Sequence, residues 1–373
     1  MVPPDLPSEP HADRVPFWRR RLLIVSVTVV ATLTLSAVAS GFVPTPYYAQ
    51  SPGTVRNTEP LISVEGAATF TDDNGEIGYT TVRLGPATLL EVMGGVFDED
   101  VRLVPERDVI GVADPEENRQ LNLQMMVDSK NVAAAVALRS LGYEVPESGD
   151  GAVIVEVGPD APATGILSPG DTITAVDGTD ISFDRELSAA IADHAPGDTI
   201  SLTVVPATGA ATRTDEVVLG TRPGGAPEDP PVAFLGVASS TSNLSYDLPF
   251  TVDIDSADVG GPSAGLAFSL GVIDVLTPGS LSGGGRVATT GTIDIDGKVG
   301  PIGGIEQKVA AVIDAGIGVF LVPAGEGAAA RVRAGDDVRI IEVGSLDEAL
   351  AALADLGGDT SGVTDLAAGA PTG

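Results

Sequence analysis

The sequence predicts an α+β multidomain chain. It has an N-terminal transmembrane helix, a small β-barrel or sandwich with helices in the middle, and an α/β domain at the C-terminal end. Three observations predict it. An uncharged run from Leu22 to Val43 follows Arg19-Arg20-Arg21. Two glycine-rich stretches, one around Ser263 and one before Lys308, each join an apolar strand pattern to an apolar helical pattern. Between the run and these stretches lies a block of short alternating strands, punctuated by Pro-Gly-Asp and Asp-Gly turns.

The chain's 373 residues leave room for two or three domains. Hydrophobic residues, at 43%, are enough to fill cores, and with aromatics at 4% those cores are built from Val, Ile, Leu and Ala. A net charge of −32 argues against nucleic acid, whose phosphates would be repelled, and fits a solvated acidic surface. The lack of cysteine excludes a thiol nucleophile, disulfides and cysteine metal sites. The two histidines, His11 and His194, are too few for an ordinary histidine-rich metal site, so neither metal nor cofactor is expected.

Taken in order, residues 1–21 are polar and proline-rich, and their arginines place them in the cytoplasm. Residues 22–43 are long enough to span a bilayer, which needs roughly 20 apolar residues, so everything after them is expected outside the cytoplasm. Ala37-Val38-Ala39 resembles a signal-peptide cleavage site and is the alternative; the apolar run beyond it favours an uncleaved anchor. Residues 44–141 form a membrane-proximal segment. Tyr47-Tyr48 suits the interface, Leu61–Val64 and Thr80–Leu84 read as strands around a turn at Asp72-Asp73-Asn74-Gly75, and 116–141 reads as a long helix.

Residues 142–222 form a separate unit. The strand Ala152–Val157 is followed by Gly158-Pro159-Asp160 and Pro169-Gly170-Asp171, and then by a strand-turn-strand around Asp177-Gly178. A helix from Asp184 to His194 precedes the strand Thr199–Val205. This order resembles a bacterial PDZ domain. The resemblance implies that an extended peptide adds beside a sheet edge, in a groove along helix 184–194. In such domains a terminal-carboxylate loop precedes the first strand, and Leu141-Gly142-Tyr143 is the nearest match here. Asp171 reads as a turn residue, and His194 as a complement to a helix dipole. The Pro/Gly-rich residues 223–234 are a linker.

The last unit, 235–356, carries the chemistry, and 357–373 is expected to be disordered. Phe250, Val252 and Ile254 alternate as in a half-buried strand ahead of Gly260-Gly261-Pro262-Ser263-Ala264-Gly265 and an apolar helix. Pro262 suits the first helical position, which puts Ser263 in the first turn, among unpaired backbone N–H groups able to bind an oxyanion. The plainer reading is a capping serine in a tight turn. Further on, Pro301-Ile302-Gly303-Gly304 opens a helix whose apolar stripe, Ile305, Val309, Val312 and Ile313, lies beside Lys308. The chain has three lysines, Lys130, Lys298 and Lys308, and otherwise uses arginine. Arginine cannot give up its proton in a protein, whereas a desolvated lysine can. The plainer reading of Lys308 is a snorkelling lysine.

Together these stretches resemble the proteolytic domain of the Lon family. That family carries serine in a Gly-Pro-Ser-Ala-Gly turn and lysine after a Pro-Ile-Gly-Gly segment. Thr289-Thr290-Gly291-Thr292-Ile293 and Gly297-Lys298-Val299, lying between them, resemble the family's hairpin. The family usually has Asp at the place of Gly260, Glu at Thr292, and Lys-Glu-Lys or Arg-Glu-Lys where Glu306-Gln307-Lys308 stands. The resemblance implies a Ser263–Lys308 dyad, with Thr290 supporting the lysine and the Gly260–Gly261 turn supplying oxyanion donors alongside the Ser263 amide. It also implies that residues 44–141 belong with the protease side. The chain contains no Gly-x-x-x-x-Gly-Lys-Ser/Thr loop, so no ATP is expected. The expectation is a membrane-anchored, ATP-independent serine endopeptidase acting on proteins or peptides outside the cytoplasm, with a homo-oligomer left open. The competing expectation is a non-catalytic PDZ peptide-binding scaffold.

Overall fold

The computed structural model describes residues 17–71, 75–95, 98, 100–109, 115–223 and 231–363. Most of the 1–21 tail with His11, the turn at 72–74, most of the linker and residues 364–373 lie outside them. The first element is the helix Phe17–Ser40, which ends short of Val43 at a turn over Gly41-Phe42. Among the described residues no helix is long and apolar enough to cross a membrane, so the span expected at 22–43 finds no support in the structure.

One six-stranded sheet organises the half that holds Ser263 and Lys308. Its order is Arg339–Val343, Val319–Pro323, Arg286–Thr289, Glu76–Thr88, Pro44–Asn57, Arg102–Pro105. The first four strands run parallel to one another, and the last two pairings are antiparallel. Residues 44–105 therefore supply half of the sheet that carries the C-terminal strands. The N-terminal segment is built into that core and is not a separate spacer.

A helix covers each face. Gly265–Leu276 is apolar all round and is buried along nearly its whole length, as expected for a helix wrapped on every side. It packs with Ile77, Tyr79, Val287 and Leu321, and Tyr79 and Phe268 meet ring to ring at 5.3 Å. Ile305–Asp314 lies on the opposite face with Ala288, Phe320 and Val322. The long helix Pro115–Ser140 starts with proline, Glu116 and Glu117 and ends with Arg139, so its charges complement its dipole. Its alanines, 133 to 135 and 137, let it lie close against Gly265–Leu276, and Ser269 Oγ donates to Ala133 O at 3.2 Å.

The PDZ-like unit is inserted into this domain, between the long helix and the strand Thr251–Ile254. Its sheet runs Arg213–Val218, Thr199–Val205, Thr172–Val176, Ala152–Val157, Val237–Thr241, with antiparallel pairing throughout. It has its own core, including Ile154, Ile173, Leu187, Ile200 and Leu202. The fifth strand extends past the sequence-based division at 235: Val237–Thr241 pairs with Ala152–Val157 and so belongs to the inserted sheet. Residues 357–363 are also ordered against the half that holds Ser263 and Lys308, since Asp359 N donates to Ser280 O at 2.8 Å.

Candidate active site

The serine helix begins at Gly265, with Ala264 as its N-cap, so Ser263 sits just before the helix and not inside its first turn. The reason is where its carbonyl goes. Ser263 O accepts from Gly291 N at 2.9 Å and from Thr290 Oγ1 at 3.1 Å, which turns it away from the helix ladder. These bonds pin the serine turn to the end of strand Arg286–Thr289. Lys308 projects from the other covering helix toward the same strand end. Its Nζ donates to Ser263 Oγ at 2.8 Å and to Thr290 Oγ1 at 2.8 Å. The structure thus gathers Ser263, Thr290 and Lys308, which come from three elements, into one hydrogen-bonded group. Ser263 is half-buried and so open to a reactant, whereas Lys308 is 1% exposed.

Burial pushes the Lys308 ammonium down from 10.5 to about 7, and the negative charge of Glu326 partly opposes that fall. An amine at that position is a base near neutral pH. Its hydroxyl neighbours hold it in place without supplying a counter-charge.

The glycine turn differs from its expected role. Gly261 N–H donates to Asn122 O at 2.8 Å, so its amide is engaged by the long helix and not free for an oxyanion. Gly260 is glycine for lack of space: a Cβ there would lie 3.1 Å from Asn122 Cβ and 3.2 Å from its carbonyl carbon. The aspartate usual in the resembling family would press on this approach, and Asn122 would have to give way by a few tenths of an ångström. The long helix also holds the loop at Ser129, whose Oγ donates to Pro262 O at 3.1 Å, and at Lys130, whose Nζ donates to Ile254 O at 2.8 Å. Gln307 takes the place of a family glutamate for a similar local reason. Its Nε2 donates to Asp100 O at 3.3 Å, which a carboxylate cannot do.

Leu141-Gly142-Tyr143 is not a carboxylate loop. It ends the long helix as a Schellman turn: Gly142 has φ 84°, Gly142 N donates to Arg139 O, and Tyr143 N to Leu138 O. Leu141 is buried in the catalytic core and Tyr143 stacks edge-on against Phe250. The sheet edge that faces helix Asp184–Ala192 is instead Val237–Thr241. Between them is a cavity of about 100 Å³, whose lining includes Leu187, Ser188, Ile191, Phe234, Leu235 and Val237. Asp171 is structural, as expected: it accepts from Ser168 N, Ala207 N and Arg213. His194 contacts Ala190 O and Asp177 at the end of its helix.

Residues 251–353 match the Lon protease (S16) C-terminal proteolytic domain, and residues 139–206 match a PDZ domain. Two separate segments of the chain are thus similar to a Lon proteolytic domain and to a PDZ domain. Its relatives include Lon protease 1 of Herpetosiphon aurantiacus, 41% identical over 21% of this chain and 9% of that protein. Lon protease of Neorickettsia sennetsu is 34% identical over 28% of this chain and 13% of that protein. The chain therefore spans about a tenth of the length of these relatives. Among solved structures, the PDZ domain of an SdrC-like protein from Listeria innocua is 28% identical, covering 24% of this chain and 93% of that one, with a TM-score of 0.21. The protease matches support a serine peptidase.

Sequence reasoning missed two groups. Asn122, Ser129 and Lys130 sit at helical spacing on a face that meets the serine loop, and only that spacing marks them. The edge strand Val237–Thr241 was hidden because it follows the linker. Its signal is Leu235-Gly236-Val237, a second Leu-Gly pair placed directly before alternating residues.

Proposed function

We propose that the chain is an ATP-independent serine endopeptidase, anchored by residues 22–43, that cleaves extracytoplasmic proteins or peptides presented through its PDZ domain. The observation that carries the peptidase reading is the 2.8 Å contact between the buried Lys308 amine and Ser263 Oγ. As a free amine, Lys308 accepts the Ser263 proton while Oγ attacks the peptide carbonyl, and then gives that proton to the leaving amine. Water repeats the cycle on the acyl-enzyme. Thr290 holds the amine on line. The Ser263 and Ala264 amides, at the open end of the serine helix, are the donors assigned to the oxyanion; losing one such donor typically costs 10²–10³-fold in rate.

Anchoring rests on Arg19-Arg20-Arg21 before the uncharged run, which sets the N-terminus in the cytoplasm. The domain division is 1–21, 22–43, a catalytic domain formed by 44–141 with the residues after Thr241, and the PDZ insertion between. Substrates are unfolded or exposed segments, which can reach Ser263 as extended chain. A scaffold alone would have no need of a lysine held unprotonated beside a serine. The test is hydrolysis of an unstructured peptide. Ser263→Ala and Lys308→Arg should each fold and lose turnover, and near-normal turnover in both would return the chain to the scaffold reading.

A further inference from the structure

Two units joined by short connections normally move relative to one another. Here the joint is braced. The chain leaves the catalytic half at Leu141 and returns at Thr251, and the two crossings pair with each other as Glu147–Ser148 against Ser245–Tyr246. The Ser148 and Ser245 hydroxyls meet at 2.7 Å. Glu147 lies in this ladder with its side chain only 11% exposed, and its two oxygens accept from arginines of different units: Arg139 at 2.7 Å and Arg185 at 2.9 Å.

Both partners are well placed. Arg185 stands in the first turn of the helix that lines the PDZ groove and is stacked 3.9 Å over the Phe183 ring. The start of that helix is tied to the groove's other wall, because Asp184 N donates to Thr241 Oγ1 at 3.1 Å and Thr241 Oγ1 donates to Asp184 Oδ1 at 2.6 Å. Arg139 closes the long helix that holds the serine loop at Asn122, Ser129 and Lys130, and it also donates to Val145 O at 2.6 Å. An unbroken set of contacts therefore runs from groove to nucleophile. Exposed ion pairs contribute little, but a carboxylate shared by two guanidiniums and nearly out of water is screened much less.

We propose that Glu147 is a positioning residue: it fixes the PDZ groove at one distance and angle from Ser263, so that a docked chain reaches the dyad in a set register. Burial opposes the charge on Glu147, yet the Arg139 and Arg185 hydrogen bonds hold its carboxyl below the usual range, so the brace persists at neutral pH. Only the activity arm of the test rests on the peptidase reading.

The chain has no cysteine, so two can be introduced for paired labels. Val205→Cys in the PDZ domain and Val332→Cys on the catalytic half occupy exposed sites. The full chain should give a narrow inter-label distance distribution. Glu147→Gln, and Arg185→Ala at a half-exposed side chain, should each broaden it about twofold. An unchanged width in both variants overturns the proposal. In the activity arm, peptides ending in a valine carboxylate carry the cleavable segment at graded spacer lengths. Wild type should show a peak in kcat/KM at one spacer length. Both variants should flatten it by about tenfold, as expected when effective concentration is lost, while affinity for the valine peptide and hydrolysis of an untethered peptide stay unchanged. Equal loss on the untethered peptide overturns the positioning role. A wild type that hydrolyses nothing sinks the peptidase reading and leaves the distance measurement to decide on Glu147.

Discussion

Replacing Lys308 with methionine should stabilise the fold while abolishing turnover. The amine is 1% exposed and its pKa falls from 10.5 to about 7. Because the folded value is depressed, the unfolded chain binds more protons between these two values, and stability rises with pH across that window. The penalty of keeping the lysine in place is fully present below pH 7 and gone above 10.5. At about 1.36 kcal/mol per unit, the shift corresponds to about 4–5 kcal/mol at pH 7 and about 2 kcal/mol at pH 9. Methionine fills similar volume without charge. It leaves the Ser263 and Thr290 hydroxyls without the amine, at about 1 kcal/mol each. The variant should therefore gain about 2–3 kcal/mol at pH 7 and nothing at pH 9, with the pH trend the more diagnostic result. Urea unfolding of both proteins at pH 6, 7, 8 and 9 measures it. A stability difference that does not change with pH would refute the buried, unprotonated lysine.

Glu326→Gln removes the charge that holds Lys308 up, so the ascending limb of the pH–rate profile should move to lower pH; a shift the other way, or none, would remove Glu326 from the site's electrostatics. Ser129→Ala should release Pro262 O from the long helix and lower kcat several-fold while KM stays the same, as read by steady-state kinetics. Gly260→Asp restores the family residue but drives a side chain into Asn122, so it should lower thermal stability and turnover together. Ile191→Glu replaces an apolar side chain lining the cavity beside helix Asp184–Ala192 with a carboxylate and should weaken binding of a valine-terminated peptide at least tenfold while untethered hydrolysis stays normal.

The turns that bring Ser263 and Lys308 into contact were legible in the sequence because they are carried by local patterns. Glycines mark each turn, apolar stripes mark each helix, and lysine is rare enough to stand out beside arginine. The PDZ sheet was legible for the same reason through its turn residues. What failed were statements about which distant pieces meet. Nothing local in Glu76–Thr88 says that this strand pairs beside Arg286–Thr289, about two hundred residues later, or that Pro44–Asn57 extends the same sheet. Leu141-Gly142-Tyr143 and Leu235-Gly236-Val237 look alike in sequence; one ends a helix with a left-handed glycine and the other opens an edge strand, and only the partner strand separates them. Pro262 suggested an early helix start, but the long-range bonds of Ser263 O to Thr290 and Gly291 outweighed that local preference.

The central claim is that Lys308, as a free amine near neutral pH, makes Ser263 a nucleophile. Labelling by a small serine-directed acylating reagent, followed by mass analysis, tests it without knowledge of any natural substrate. With Lys308 near 7, about three-quarters of the amine is free at pH 7.5, against about 0.1% for an ordinary lysine. Wild type should be labelled at Ser263 with a rate rising through a midpoint near pH 7, and Lys308→Arg, whose guanidinium stays protonated, should not be labelled at any pH from 6 to 9. Labelling of Lys308→Arg at the wild-type rate, or a wild-type rate that ignores pH across that range, would contradict it.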